Sequence, residues 1–521
     1  MYLRVLFGKM HLLCALLAVL SLCEGASLRC PGRCSCDSMQ SVQCYRLTEV
    51  PSAIPPSTKR LYISHSKIEH LQLSNFTEML AIEDFILLAS GTESVENGTF
   101  KILNTLKSLE LWKNKLQRVP SALPATLEVL KLNDNSINVL HASDFEGLKK
   151  LRILELKNNL LSSLSPSALA SLVSLQSLMV DSNHVQSVAG PLPLPHLRQL
   201  SLENNQLHLI PNNFFTSLQR LQYLSFSGNF LARIPVNLPK SLRLLKMERN
   251  QLKVVRFQDL KQLGNLFHLY LSENSLSSVN GAQLLANLIT LELYQNQLQM
   301  LPFGLPASLQ KLDCSNNLIQ KVRAQDFQDL RDLKHLFLDN NVVSVFESGA
   351  LQGCSRLSSL ALEQNLLLSI PLRLPGTLAR LDLKGNAIQD IAEPELRDLK
   401  LLQVLNLRNN KISALDHKAL ESLPRLRHLY LDGNPWNCTC SLLRAREVLK
   451  AKGTDVRGGQ CVAPAERQGE SWMSSVRIMR ECESYLHLAE KGQGGREEPK
   501  AEDPSSIIIN IDDDDEDYEI D

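Results

Sequence analysis

Leu106-Lys-Ser-Leu109-Glu-Leu111-Trp-Lys-Asn114-Lys-Leu116 and Leu151-Arg-Ile-Leu154-Glu-Leu156-Lys-Asn-Asn159-Leu-Leu161 share one form, L-x-x-L-x-L-x-x-N-x-L. The same form begins again at Leu266, Leu333 and Leu402. Fifteen asparagines from Asn114 to Asn434 hold the ladder position, and Ser66 and Ser90 hold it in two degenerate first copies. Seventeen positions over 368 residues give a mean step of 23. That period and consensus define a leucine-rich repeat. Two leucines one residue apart point to the same side of a short strand, and the residue between them points to the other. Stacked copies then share an apolar column, so no single repeat is stable alone. The expected fold is an α/β-type leucine-rich repeat solenoid, mostly β, a right-handed horseshoe with a parallel concave sheet and disulfide caps at both ends. Asparagine carries two amide donors and a carbonyl acceptor, enough to tie adjacent coils where the chain leaves the strand.

The steps alternate between 24 or 22 residues and 21. Most 24-residue copies place an aromatic on the convex side, as in Asp144-Phe145 and Asp326-Phe327, whereas 21-residue copies carry proline pairs, Pro120 with Pro124 and Pro371 with Pro375. Proline resists helix and suits an extended convex segment.

Outward from the repeats, the chain divides into an expected signal peptide at 1–25, a cysteine-rich cap at 26–56, about 17 repeats over 57–434, a second cysteine-rich cap at 435–482 and an acidic tail at 483–521. Arg4 and Lys9 precede the apolar stretch Leu12 to Leu22 and small residues around Gly25, the order of a secretion signal. That stretch is too short to span a bilayer, and no later segment reaches eighteen apolar residues, so no membrane span is expected. The 55 basic and 55 acidic residues balance, but residues 483–521 hold 3 basic and 14 acidic ones, and residues 26–482 carry a net charge of +10. Whole-chain neutrality removes the electrostatic case for nucleic acid. In an oxidising compartment the groups Cys30, Cys34, Cys36, Cys44 and Cys438, Cys440, Cys461, Cys482 read as disulfide staples, with zinc the competing reading of close pairs. Cys314 stands where neighbouring copies place leucine and reads as a buried, reduced small hydrophobe. N-x-[ST] acceptors occur at Asn75, Asn97 and Asn437. The run Asp512 to Asp521 cannot bury a core, and Tyr518, set among carboxylates, is a candidate for sulfation.

The signal, the spacing Cys30-x3-Cys34-x-Cys36-x7-Cys44 and the mixed 21- and 24-residue repeats resemble the small leucine-rich repeat proteoglycans of extracellular matrix. The resemblance implies pairing of Cys30 with Cys44 and of Cys34 with Cys36. The second group resembles the C-terminal cap of leucine-rich receptors, implying Cys438 with Cys461 and Cys440 with Cys482. Seventeen repeats exceed the family's usual eight to twelve, so ligand sites of shorter relatives do not transfer to numbered residues. What the family implies is binding rather than catalysis, with no cofactor. Its expected partners are growth factors of the transforming-growth-factor-β class, fibrillar collagen, or a cell-surface receptor reached through the receptor-like cap.

The outward strand positions carry aromatics among charges, and such groupings usually mark protein contact. Tyr223, His268, Tyr270, Tyr294, His335 and Phe337 are the candidate ligand-binding residues; the bland alternative is that strand surfaces favour aromatics in any case. The histidines are scattered, and no H-E-x-x-H, G-x-S-x-G or phosphate-loop motif occurs. Enzymatic activity and metal sites are therefore not expected.

Overall fold

The computed structural model describes residues 30–37, 40–52 and 54–483. The apolar leader 1–25, residues 484–521 of the acidic tail and Tyr518 lie outside the described residues. Strand β1 (Cys34–Cys36) pairs antiparallel with β2 (Ser41–Tyr45), and β2 pairs parallel with β3 (Arg60–Ser64). From there each coil adds one short parallel strand, ending at Asp455–Arg457, to complete a sheet of twenty strands. The register follows the leucines: Leu109 lies beside Leu130, Leu130 beside Leu154, and Leu405 beside Leu429. Because alternate residues face opposite sides, this register stacks one leucine per coil into a continuous buried column.

The ladder asparagines, all buried except the partly exposed Asn274, tie neighbouring coils, as their chemistry predicts. Asn159 is typical. Its Nδ2 donates to the carbonyls of Leu132 (2.9 Å) and Leu156 (3.1 Å), and its Oδ1 accepts the N–H of Ile137 (3.0 Å). Ser66 does part of this with one hydroxyl, accepting from the Leu47 N–H at 3.0 Å and donating to the Ser64 carbonyl at 3.0 Å. The turn into each ladder residue passes through the left-handed region. Lys113, Asp134, Asn158, Arg249 and Glu273 have φ between 49° and 56°, and Gly228 takes the same place at 70°. Asparagine tolerates that conformation better than most residues, which accounts for the doublets Asn158-Asn159, Asn204-Asn205, Asn316-Asn317 and Asn409-Asn410.

Repeat length sets the convex side. The 24-residue coils make short helical turns such as Ala142–Phe145, Pro166–Leu169, Glu393–Leu396 and His417–Glu421. The 21-residue coils carrying Pro120/Pro124 and Pro371/Pro375 have none. Phe76, Phe100, Phe145 and Phe327 are fully buried beneath the convex turns, and Phe76 packs on Phe85 and Phe100 at 5.1 and 5.3 Å.

The N-terminal cap corrects the expected pairing. Cys30 bonds to Cys36 and Cys34 to Cys44, not Cys30 to Cys44 and Cys34 to Cys36. The antiparallel register sets Cys34 opposite Cys44, with Cα atoms 4.0 Å apart. Residues two apart on one strand are separated by about 6.6 Å, at the upper edge of disulfide reach, so the strand itself disfavours a bond between Cys34 and Cys36. At the other end Cys438 is joined to Cys461 and Cys440 to Cys482. There the helix Leu442–Ala451 buries Leu442, Leu443, Ala445 and Leu449 over the last coil, and Trp436 meets Trp472 edge to face at 5.7 Å. Cys314 and Cys354 are reduced and buried, and burial pushes both thiols up.

Candidate functional site on the concave sheet

The outward positions of successive strands form columns across the sheet. One column runs Tyr223, Leu244, His268, Thr290, Lys311, His335, and the next runs Lys246, Tyr270, Glu292, Asp313, Phe337. Five of the six residues predicted to bind ligand therefore lie in two adjacent columns, and Tyr294 stands two residues beyond Glu292 in a third. Tyr223, His268, Tyr270, Tyr294 and Phe337 are half-buried, and His335 is the exposed one of the six. The reason is lateral contact. Lys246 lies over the Tyr270 ring at 5.5 Å and Lys311 over the Phe337 ring at 5.7 Å, with His268 and His335 stacked beside those same rings at 6.5 and 6.4 Å. Lys311 also bridges to Glu292 at 2.6 Å, and His268 Nδ1 lies 3.1 Å from the Thr290 hydroxyl. These contacts hold the rings upright at low entropic cost to a partner. Among residues not singled out from sequence, Arg408 stacks on Tyr430 at 4.3 Å while bonded to Asp432 at 2.8 Å. Only the strand register, which aligns residues 21 to 24 apart, exposes such pairs.

Burial and carboxylate neighbours perturb the titration of this face. Burial first, then Glu203, raises the Tyr223 phenol to about 12. The hydrogen bond from Tyr294 to Glu273 (2.7 Å) raises the Tyr294 phenol to about 12. Burial, with Lys311 and Lys334 near, lowers the His335 imidazole below its ordinary range. Asp339 is raised to about 6 by burial, although it accepts the Glu363 N–H at 2.8 Å. A carboxyl whose folded value exceeds its unfolded one binds protons more tightly when folded, so stability falls as pH rises from about 4 to about 6. Asp339→Asn is therefore expected to raise stability by about 1–3 kcal/mol at pH 7.5 and to leave it unchanged below pH 4. Urea unfolding of the two proteins at both pH values measures the difference.

The glycan acceptors lie away from these columns. Asn97 is exposed and accepts the Ser121 hydroxyl at 2.8 Å, Asn75 is half-buried in the turn Leu73–Asn75, and Asn437 is exposed next to Cys438. Among the described residues no three His, Cys, Asp or Glu side chains are grouped as metal ligands, and no helix is long and apolar enough to cross a membrane.

A disulfide-capped solenoid of about seventeen coils with a binding-type concave sheet defines a leucine-rich repeat protein, and the family model described as "Leucine rich repeat" matches residues 125–185, 307–367 and 376–435. The chain belongs to the small leucine-rich repeat proteoglycan family: it is 77% identical to mouse nephrocan over 484 residues, covering 93% of this chain and 94% of that protein. Mouse podocan is 29% identical, with 85% of this chain and 74% of podocan covered. Among solved structures, a leucine-rich repeat protein of Leptospira interrogans superposes with a TM-score of 0.62 at 24% identity, covering 77% of this chain and 96% of that one. A chain from the octameric complex of latrophilin 3, Unc5D and FLRT2 superposes with a TM-score of 0.52 at 30% identity, covering 55% of this chain and 91% of that one.

Proposed function

We propose that this is a secreted extracellular protein that binds protein ligands on its concave face and dampens signalling by growth factors of the transforming-growth-factor-β class. The observation that carries the reading is the pair of columns in which Tyr270 and Phe337 stand among Lys246, Lys311, His268 and His335, rigid aromatic anchors ringed by charge. Interfaces concentrate their binding energy in such anchors. A similar solenoid is part of the octameric complex of latrophilin 3, Unc5D and FLRT2, which supports protein contact without naming a ligand here. The apolar leader supports secretion, and sulfation of Tyr518 and glycosylation at Asn75, Asn97 and Asn437 belong to the same proposal.

The test is surface binding of the purified glycosylated protein, in parallel, to a transforming-growth-factor-β ligand and to fibrillar collagen. Growth-factor binding without collagen binding is expected, and Tyr270→Ala with Tyr294→Ala and Phe337→Ala should weaken it by about 100-fold or more. Collagen binding alone would replace the antagonist reading with a role in organising the matrix. An unchanged affinity in the triple variant, with its melting temperature preserved, would remove these columns from the site.

A further inference from the structure

The flank on which each coil leaves its strand carries charge unevenly. Three, four and six residues beyond the ladder positions, Ser66 and Ser90 included, the acidic residues are Glu69, Glu93, Glu96, Glu347, Asp390 and Asp416. None falls in the five successive coils whose ladder residues are Asn229, Asn250, Asn274, Asn296 and Asn317. Those coils hold Arg233, Lys253, Arg256, Lys321 and Arg323 at the same places, and all the other coils together add Arg118 alone. Among the described residues none of the five cations forms an ion pair; the nearest pairs along the chain are Lys157 with Asp181, Lys311 with Glu292 and Arg356 with Asp332. Asp326, beside Arg323, spends its carboxylate on the Arg323 backbone N–H at 2.9 Å.

The same coils expose apolar side chains among those cations. Val254 shares one cleft with Arg233, Lys253 and Arg256, and Met300 and Phe303 share another with Lys321 and Arg323. Val254, Met300 and Phe303 are 61%, 61% and 60% exposed. Exposed apolar groupings of this kind mark contact surfaces, and unpaired like charges on neighbouring coils repel until an anion covers them. A partner for this flank must therefore bring apolar side chains and carboxylates together. Approached from the C-terminal cap, the flank presents Lys321 and Arg323 first, then Met300 and Phe303, then Arg256, Lys253 and Arg233.

We propose that the chain's own segment 507–517 docks on this flank, its isoleucines on Met300 and Phe303 and its acidic run on Arg256, Lys253 and Arg233. The segment holds both complements in the order of approach: Ile507, Ile508, Ile509 and Ile511, then Asp512 to Asp517. Glu502 and Asp503 precede the isoleucines as Lys321 and Arg323 precede Met300. From the coil of Met300 to that of Arg233 there are three strand steps, about 14 Å, which an extended chain covers in about four residues, the separation of Ile509 from Asp513. Reach is sufficient. Strand Asp455–Arg457 stands seven steps from Thr290–Glu292, about 34 Å, and the 23 residues 484–506 can span up to about 75 Å. Tethering makes the contact intramolecular, at an effective concentration that a free anion in dilute solution does not match. The flank is a different surface from the concave columns, so the contact stands or falls independently of the growth-factor reading.

The test is carbodiimide coupling of carboxylates to lysines in the full glycosylated protein, followed by peptide mapping. Lys253 is expected to couple to residues 512–517 of its own chain at low salt, with the yield falling about tenfold or more in about 1 M salt, where screening acts within about 3 Å. Arg233→Gln with Arg256→Gln, which leaves Lys253 in place, should lower that yield about fivefold or more, and so should Met300→Ser with Phe303→Ser. Lys149→Gln with Lys150→Gln, which stand ahead of the strand Ile153–Glu155 rather than beyond it, should change it by less than about twofold. All six residues are exposed, so melting temperatures should stay within about 2 °C of the parent and confirm folding. Three results would each overturn the contact. Coupling spread evenly over Lys253, Lys149 and Lys150 would show the acidic run following net charge without a site, and coupling found only between two chains would show self-association. Phosphatidylserine vesicles binding through this flank, with Lys253 uncoupled in their absence, would assign the surface to a membrane.

Discussion

Asn317→Leu is expected to destabilise the protein by about 3–5 kcal/mol. Asn317 is buried; its Nδ2 donates to the carbonyls of Leu293 and Cys314 at 3.0 Å, and its Oδ1 accepts the Leu298 N–H at 3.0 Å. Leucine matches it in size but leaves one buried donor and two buried acceptors without that partner. Each such orphan costs roughly 1–3 kcal/mol, whereas the apolar gain of the new side chain is smaller because the site is walled by backbone. In a solenoid the damage is local to two coils, since stability is nearly a sum of nearest-neighbour terms. Hydrogen exchange should therefore quicken around residues 293–319 and stay unchanged near both caps. A loss below about 1 kcal/mol would mean that the ladder side chains merely fill space.

The second large effect is at the C-terminal cap. Cys440→Ser with Cys482→Ser opens a loop whose ends are 42 residues apart. Chain entropy assigns that closure about 4 kcal/mol, against about 2 kcal/mol for a six-residue loop such as Cys30–Cys36. The cap also shields the last apolar column through Leu442, Leu443, Leu449 and the Trp436–Trp472 pair. Its loss should lower the melting temperature and expose surface that binds a hydrophobic dye, and secretion from cells should drop in step. If the variant melts like the parent, the Cys438–Cys461 bond and the tryptophan contact hold the cap by themselves.

Much of this architecture was legible in the chain because one spacing does several tasks. Leu109, Leu111 and Asn114 set strand direction, register and coil-to-coil bonding at once, and their repetition leaves few other arrangements. The proline pairs and the convex phenylalanines told the flat coils from the helical ones for the same reason. The N-terminal cap was not legible: Cys30, Cys34, Cys36 and Cys44 admit three pairings, and the choice rests on the antiparallel register of two very short strands. Nor could the chain reveal which cation covers which ring: Lys246 lies over Tyr270 and Lys311 over Phe337, contacts made between neighbouring coils. The left-handed turns were not legible either: Asn158 suits that conformation, but Lys113, Arg249 and Glu273 adopt it at the same place in other coils, so residue type does not mark it.

The parallel sheet is also a ruler. Its graduations are set by backbone hydrogen bonding at about 4.8 Å, and no side-chain change can alter them. From the strand of Tyr223 to that of Phe337 there are five such steps, or about 24 Å, close to the width of a small folded domain. A partner touching both ends must present its own contacts at that interval. Deleting one whole coil between them would keep the strands at both ends and shorten the interval by one graduation, testing fit apart from the chemistry of the end residues.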